Sequence, residues 1–299
     1  MRRLLFFLAI STFIALSAAE FTGISPVLPH GTLQMIQVDT GDTVGDAYII
    51  RTPQNKIFLL DTGDFNTAEA FLIPALEKHG ISKIDTVILT HFHSDHVAGL
   101  FDLLNDPAFE IGEILYTSMP ENEIPGSYTR TMYRRIMGLA ERNNVPVKAL
   151  HTGDIINFGS GITAKVCGSA TSPVRDRDLN GHSLVFQLVY GNFTALFTGD
   201  CSFNQEKVIL ASQCNIRSDL LKVGHHAGAN ATSEAWLDAV SPQVAVACMP
   251  QWLSLDNRGK RVEAMLKKRN IRFFRSWEYP SAIIFSDGKT FGIYNGGSQ

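Results

Sequence analysis

The segment that most constrains the fold is HFHSDH at residues 91–96, which places three imidazoles and a carboxylate within six positions. It follows the apolar run 85–90, which has the pattern of a buried β-strand. Neutral imidazole and carboxylate are ligands that Zn²⁺ and similar divalent ions prefer. His91 and His93 can project together, whereas Asp95 and His96 begin the next turn and can face a second ion. The run therefore predicts a metal site.

Three further segments place ligand-type side chains where a predicted strand begins or ends. They read NGHS at residues 180–183, FTGD at 197–200 and LKVGHHAG at 221–228. Loops at the ends of strands are where α/β sheets commonly build their sites. We therefore expect the ligand-type residues of these segments to join the same centre: His182, Asp200, His225 and His226.

Strand-like and helix-like segments alternate in both halves of the chain, and strand patterns dominate residues 147–198 between them. The segment Val189–Phe193 has the pattern of a hairpin, because Gly-Asn separates two apolar runs. These patterns predict an α/β protein with mixed sheets. No internal repeat, low-complexity tract or linker divides the sequence, so we expect one domain over residues 20–299.

The first residues follow the pattern of a secretory signal peptide. A basic start at residues 1–3 precedes an apolar run at 4–16, and small residues at 17–19 precede Glu20. The apolar run is shorter than the roughly 20 residues that a membrane-spanning helix needs. We expect residues 1–19 to be cleaved and the mature chain, without a transmembrane segment, to be secreted or periplasmic. The alternative is an uncleaved N-terminal membrane anchor.

Charge and cysteine content restrict the protein further. A formal net charge of −3 is not that of a protein built around non-specific attraction to polyanions. The four cysteines are widely spaced and include no CxxC pair. Export would permit a disulfide, but spacing alone does not pair them. Cys167 lies in a strand-like apolar segment, and we interpret it as a small buried hydrophobe.

Together these motifs resemble the metallo-β-lactamase fold. Within it they are most similar to the exported hydrolase domain of ComEC/Rec2-type DNA-uptake proteins, with phosphorylcholine esterases as relatives. The resemblance covers residues 34–247 and also includes VDTGDTVGDA at 38–47 and LDTG at 60–63. It implies a four-layer αββα sandwich, in which two mixed β-sheets pack face to face with helices outside.

The resemblance also implies roles for individual residues. One ion is expected at His91, His93 and His182. A second is expected at Asp95, His96 and His225, with Asp200 bridging the two. His226 is the alternative to His225 as a ligand. Otherwise His226 is a candidate to contact substrate or donate a proton. The predicted catalytic residues are Asp95 and His226. Asp61 matches a position that braces the metal loop by hydrogen bonds.

The predicted function is that of an exported hydrolase with two divalent metal ions, of which Zn²⁺ is expected first and Mn²⁺ or Fe²⁺ also suit the ligands. A metal-bridging hydroxide would attack phosphodiesters of nucleic acid, or phosphorylcholine and similar groups of an envelope polymer. Nucleic acid is expected as a substrate only, and the sequence indicates no other cofactor. The alternatives are hydrolysis of a β-lactam, lactone or thioester, and a binding module without catalysis.

Overall fold

The structure is a computed structural model that describes residues 19–22, 31–170, 178–280 and 282–295. The expected signal peptide, residues 1–19, lies outside these ranges except for Ala19. Among the described residues, no helix combines the length and the apolar character needed to span a bilayer.

The strands alternate with helices in most of the chain. The strands are β1 (Ala19–Thr22), β2 (Leu33–Gln37), β3 (Tyr48–Arg51), β4 (Ile57–Leu60), β5 (Lys83–Leu89), β6 (Glu110–Thr117), β7 (Val147–Leu150), β8 (Ile155–Gly159), β9 (Ile162–Gly168), β10 (Val185–Tyr190), β11 (Phe193–Phe197), β12 (Leu220–Lys222), β13 (Val244–Ala247), β14 (Arg272–Arg275), β15 (Ile283–Ser286) and β16 (Phe291–Asn295).

The helices are α1 (Phe65–Thr67), α2 (Ile73–Lys78), α3 (Ser94–Val97), α4 (Gly99–Asn105), α5 (Ser127–Arg142), α6 (Phe203–Ala211), α7 (Glu234–Val240), α8 (Gln251–Leu255) and α9 (Asn257–Lys268). A π-helical turn, Ala68–Leu72, joins α1 to α2. Short 3₁₀ turns cover Glu121–Glu123, Leu179–His182 and Gly224–Ala227.

Within the described ranges the strands form two mixed sheets. The first has the order β1-β16-β15-β2-β3-β4-β5-β6-β7, and the second has the order β14-β13-β12-β11-β10-β9-β8. Strands β4, β5 and β6 are parallel, as are β11, β12, β13 and β14. The predicted hairpin is confirmed, since β10 and β11 pair with Tyr190 opposite Phe193.

Alternate residues of the central strands supply different cores. In β4, Phe58 and Leu60 face a core shared by both sheets, whereas Ile57 and Leu59 face helices on the outer side. In β12, Leu220 faces the shared core and Leu221 faces the helices over the second sheet. Burial of both faces explains why these strands are continuous apolar runs. The expected αββα sandwich, with two mixed sheets and helices outside, is confirmed.

Pro74 lies within residues 67–79, where the spacing of apolar residues favours one continuous helix. A proline within a regular helix removes a hydrogen bond and clashes with the preceding turn. Here the chain widens into the π-helical turn Ala68–Leu72 and then restarts as α2, so that Pro74 falls in the first turn.

The cysteines depart from the sequence interpretation at one position. Cys167, interpreted as a buried hydrophobe, ends β9 in a disulfide with Cys214, and their Cα atoms are 5.6 Å apart. Cys201 and Cys248 are buried thiols. The pairing could not be derived from sequence because 47 positions separate the two partners and only the fold brings them together.

We expect the Cys214→Ser variant to have a free energy of unfolding about 2–4 kcal/mol lower than the parent protein, because the disulfide restricts the unfolded chain. Urea denaturation without reductant measures this difference. Adding reductant should lower the stability of the parent protein and leave the variant unchanged. Equal stability of the two proteins without reductant would contradict the disulfide.

Candidate metal centre

The carboxylate of Asp200 lies where the ends of both sheets meet. It follows β11, is buried, and faces several imidazoles. The Nε2 atom of His96 is 3.2 Å from its Oδ2, and that of His226 is 3.4 Å from its Oδ1. The Nε2 atoms of His91 and His225 each lie 3.8 Å from Oδ2. The fold thus directs side chains from distant segments of the chain towards one buried carboxylate.

Within the described residues, two groups of side chains bring potential ligand atoms within 4.8 Å of one another. The first group is His91, His93 and Asp200, and the second is Asp46, His96, Asp200 and His226. Asp200 belongs to both groups, so its two oxygens can serve two cations.

Several buried atoms at this point suit a cation better than a hydrogen bond. His96 Nε2, His226 Nε2 and Asp200 Oδ1 are buried. The two nitrogens lie 3.2–3.4 Å from the Asp200 carboxylate, but none of the three atoms makes a well-aligned hydrogen bond within the part of the chain that the structure describes. Leaving such atoms without partners is costly, and a divalent ion would use their lone pairs. Imidazole and carboxylate together match Zn²⁺, Mn²⁺ or Fe²⁺. The residues present therefore fit a metal site.

Charge balance supports the same conclusion. Burial would raise the pKa of Asp200, but the neighbouring imidazoles of His226 and His96 hold that pKa well below its usual range. Burial would likewise lower the pKa of His96, yet the carboxylates of Asp200 and Asp61 raise it well above its usual range. Protonated imidazoles thus balance these carboxylates when no metal is bound, and a metal ion would replace their protons.

The outer nitrogens of three imidazoles are held by neighbouring groups. His96 Nδ1 lies 2.8 Å from the Asp61 carboxylate, and His226 Nδ1 lies 3.0 Å from the carbonyl oxygen of Cys248. His91 Nδ1 lies 3.1 Å from the hydroxyl of Thr90. Such partners fix the ring orientation and the tautomer, and leave each Nε2 directed at Asp200.

Asp61 is fully buried and holds the start of the HFHSDH loop. Its carboxylate accepts hydrogen bonds from the amide of Thr90 at 2.8 Å and from the hydroxyl of Thr90 at 2.7 Å, besides its contact with His96. Asp61 belongs to neither ligand group. Its geometry agrees with the bracing role that the resemblance implies.

The sequence analysis assigned no role to Asp46 and Lys222, which form a buried ion pair beside the centre. Lys222 Nζ also donates to the carbonyl oxygen of Gly199 at 2.8 Å and lies 3.8 Å from Asp200 Oδ1. Gly45, which precedes Asp46, allows the backbone to pack closely against the 91–96 loop, since a Cβ at Gly45 would lie 2.6 Å from the carbonyl oxygen of Asp95. The sequence did contain one signal for this pair. Lys222 is a charged residue inside an apolar run, and a buried charge requires a partner of opposite charge.

The two histidines after β12 have different surroundings. His226 is buried, and its Nε2 lies 3.4 Å from both Asp95 Oδ2 and Asp200 Oδ1. The side chain of His225 is about one third exposed, and its Nδ1 lies 2.6 Å from the side-chain oxygen of Asn230. His226 therefore enters the second ligand group and His225 borders the open cleft.

This arrangement requires an unusual backbone. His225, His226 and Ala227 have φ values of +48°, +49° and +65°, in the left-handed region that non-glycine residues rarely occupy. Each costs on the order of 1–3 kcal/mol. Arg261 holds the segment that follows, because its guanidinium donates to the carbonyl oxygens of Gly228, Ala231 and Thr232.

The remaining predicted residues lie around the first group. His93 Nδ1 is 3.0 Å from His91 Nε2, and His93 Nε2 is 3.5 Å from the carboxylate of Asp178. His182 ends the adjacent turn Leu179–His182, and its carbonyl oxygen accepts from Thr117, but its ring lies in neither ligand group. The structure thus brings His91, His93 and His96 into the two ligand groups with Asp200. Asp95 lies in neither group, although its Oδ2 is 3.4 Å from His226 Nε2, and His182 also lies outside both.

An αββα sandwich with a buried His/Asp centre at its strand ends defines a metal-binding hydrolase of the metallo-β-lactamase type. Residues 40–164 match the Metallo-beta-lactamase superfamily. The chain therefore carries a metallo-β-lactamase domain, as predicted, and this domain supports the predicted assignment as a hydrolase.

Its similarity to ComEC/Rec2-type proteins is also confirmed. The chain is 24% identical to ComE operon protein 3 of Bacillus subtilis, over 83% of this chain and 32% of that protein. It is 25% identical to competence protein ComA of Neisseria gonorrhoeae, over 94% of this chain and 36% of that protein. The chain thus spans about a third of the length of these curated relatives.

A solved structure, that of Tm1679, is described as a metal-dependent hydrolase of the β-lactamase superfamily. It aligns with a TM-score of 0.49 at 14% identity, over 81% of this chain and 94% of that one.

We expect the Asp61→Asn variant to bind metal about 10–100-fold more weakly, because the carboxylate that orients His96 loses its charge. Competition with a chelating indicator dye measures this affinity. Asp219→Asn is a matched control, since Asp219 accepts from the amide and hydroxyl of Thr194 at the opposite end of β12. An equal loss of metal affinity in both variants would contradict the specific role of Asp61.

Proposed function

We propose that this chain is an exported phosphodiesterase that works with two divalent cations at Asp200. The observation that carries the proposal is the membership of Asp200 in both ligand groups, one with His91 and one with His96 and His226. A carboxylate shared in this way is the arrangement that two neighbouring metal ions require.

For the first ion we propose His91, His93 and His182, with Asp200. Burial and the neighbouring imidazoles of His96 and His93 lower the pKa of His91 well below its usual range, which keeps its ring in the neutral form that binds metal. His182 lies outside this group, but Asp178 caps the start of its turn, and the carboxylate of Asp178 contacts His93. This proximity supports His182 as the remaining ligand.

For the second ion we propose Asp95, His96 and His226, again with Asp200. The choice of His226 in place of His225 rests on its burial and on its contacts with Asp95 and Asp200. His225, which lines the cleft, is then available to contact substrate. Asp46 lies in the ligand group of His96, His226 and Asp200, whereas Asp95 does not, but the ion pair of Asp46 with Lys222 supports a structural role for Asp46.

Bound cations would give the site the charge that an anionic substrate needs. When the imidazoles of His96 and His226 are in the neutral form that binds metal, the carboxylates of Asp46, Asp95 and Asp200 outnumber the single ammonium group of Lys222. Without cations, this negative surplus would repel a phosphodiester. Bound divalent cations would reverse the sign, activate water and stabilise the charge on the substrate oxygens.

Two further observations support the location and the substrate class. The Cys167–Cys214 disulfide is typical of proteins in an oxidising compartment, in agreement with the signal-peptide pattern at residues 1–19. The name of the relative ComA refers to competence, and the motifs resemble those of DNA-uptake proteins. Both favour phosphodiesters of nucleic acid over those of an envelope polymer.

The protein reconstituted with Zn²⁺ or Mn²⁺ should hydrolyse bis-p-nitrophenyl phosphate, and a chelator should abolish turnover. The same preparation should leave nitrocefin, an acyl-homoserine lactone and a thioester essentially intact. Release of p-nitrophenolate measures the first activity. Metal-dependent turnover of nitrocefin, the lactone or the thioester, without any phosphodiester turnover, would contradict the proposal.

The two histidines should respond differently to removal. We expect His226→Ala to lose about one metal ion per chain, and His225→Ala to keep both ions while its turnover falls, because only His226 lies in a ligand group. Elemental analysis of the dialysed proteins measures metal content, and phosphodiester turnover is followed in parallel. Loss of metal in His225→Ala with full retention in His226→Ala would reverse the assignment.

A further inference from the structure

The cleft beside the metal centre has a second wall that the proposed chemistry does not use. It has a volume of about 370 Å³. Asp95, His225 and His226 lie on the side of the metal centre, and Trp252, Leu253 and Arg258 come from α8 and the start of α9. A substrate that enters this cleft must therefore contact both the centre and this wall.

Trp252 is the notable residue of that wall. Its side chain is 47% exposed, and among the exposed large apolar residues of the described chain Trp252 is the one that lines this cleft. Its indole N–H donates to the carbonyl oxygen of Asp42 at 3.0 Å, so its polar atom is already used. An aromatic ring that is held in place but left open to solvent beside a catalytic site is suited to contact a flat ligand.

Arg258 adds a positive charge to the same wall. Its guanidinium carbon lies 5.8 Å from the centroid of the Trp252 ring, and its Nε donates to Asp256 at 2.7 Å. The Arg258 side chain is 45% exposed. Guanidinium and indole planes are the groups on which unpaired nucleobases stack, and guanidinium also binds phosphate.

We propose that Trp252 and Arg258 form a subsite that stacks an unpaired nucleobase of a nucleic-acid strand whose phosphodiester lies at the metal centre. The inference rests on the proposed phosphodiesterase function and specifies its substrate as single-stranded nucleic acid. Bases within a duplex are already stacked on one another, so their faces are not available to an indole ring.

The position of Arg258 also argues against a choline head group. Aromatic rings bind quaternary ammonium groups through the negative face of the ring. Here a guanidinium already lies over the ring of Trp252, so an incoming ammonium group would meet a like charge. A neutral base with an adjacent anionic phosphate meets no such repulsion.

Two chromogenic esters with the same leaving group test the subsite. Thymidine 5′-(p-nitrophenyl phosphate) carries a base, whereas methyl p-nitrophenyl phosphate does not. In the metal-loaded enzyme, Trp252→Ala should raise KM for the thymidine ester about tenfold and leave that of the methyl ester unchanged. Trp252→Phe, which keeps an aromatic ring, should have a KM for the thymidine ester close to that of the parent protein.

Leu255→Ala is the matched control, because Leu255 lies on the same helix, is 65% exposed and does not line the cleft. It should leave both esters unaffected. Equal KM changes for the two esters in Trp252→Ala, or an unchanged KM for the thymidine ester, would overturn the subsite while the phosphodiesterase proposal stands.

A binding measurement separates the two proposals if turnover is absent. Of the three tryptophans, Trp236 is buried and Trp252 is the most exposed. Thymidine 5′-monophosphate should quench the fluorescence of the full-length metal-loaded protein, and quenching should disappear in Trp252→Phe but persist in Trp277→Phe. Quenching without turnover of any phosphodiester would support the subsite and refute the phosphodiesterase. Quenching by phosphorylcholine and not by the nucleotide would overturn the subsite.

Discussion

The structure depends on one buried carboxylate, that of Asp200, and on the imidazoles that surround it. Within a sandwich whose strands are buried on both faces, an ionised group at such a position is costly unless opposite charge is supplied close by. Two sets of parallel strands end at this point, one in each sheet, and each delivers histidines to the same carboxylate. The site therefore assembles only when the two sheets pack correctly, since a shift of one sheet would separate the histidines from the carboxylate of Asp200.

The neighbourhood of this carboxylate contains features that a purely structural site would not need. The left-handed backbone at His225 and His226 is unfavourable, and the guanidinium of Arg261 holds the segment that follows it, through the carbonyl oxygens of Gly228 and Ala231. Strained residues of this kind persist where the surrounding structure over-determines them, and they concentrate at functional sites. The outcome is that His225 lies towards the open cleft and His226 lies in the buried centre, so two adjacent residues have different surroundings.

Much of the fold and of the site could be predicted from sequence, because the signals were local. The apolar run before His91, the alternation of strand-like and helix-like segments and the turn at Gly191 each depend on neighbours in the chain, and all three predictions are confirmed. The metal-ligating roles of individual residues remain predictions. Their strongest support is that residues from the 91–96 loop, from 200 and from 226 converge.

What could not be predicted depends on contacts between distant segments. The ion pair of Asp46 with Lys222 and the disulfide of Cys167 with Cys214 join residues that no pattern links. The orientation of His225 and His226 follows from left-handed backbone angles that are unfavourable for histidine, so conformational propensity would not predict this orientation. Helix α8 is only five residues long, too short for a periodic signal, yet it places Trp252 at the cleft.

Anomalous X-ray diffraction at the absorption edge of the bound metal tests the central claim most directly, because it locates each ion without reference to activity. We expect two peaks, one beside His91 and His93 and one beside His96 and His226, both in contact with the carboxylate of Asp200. Metal peaks elsewhere on the protein, with none at Asp200, would contradict the account.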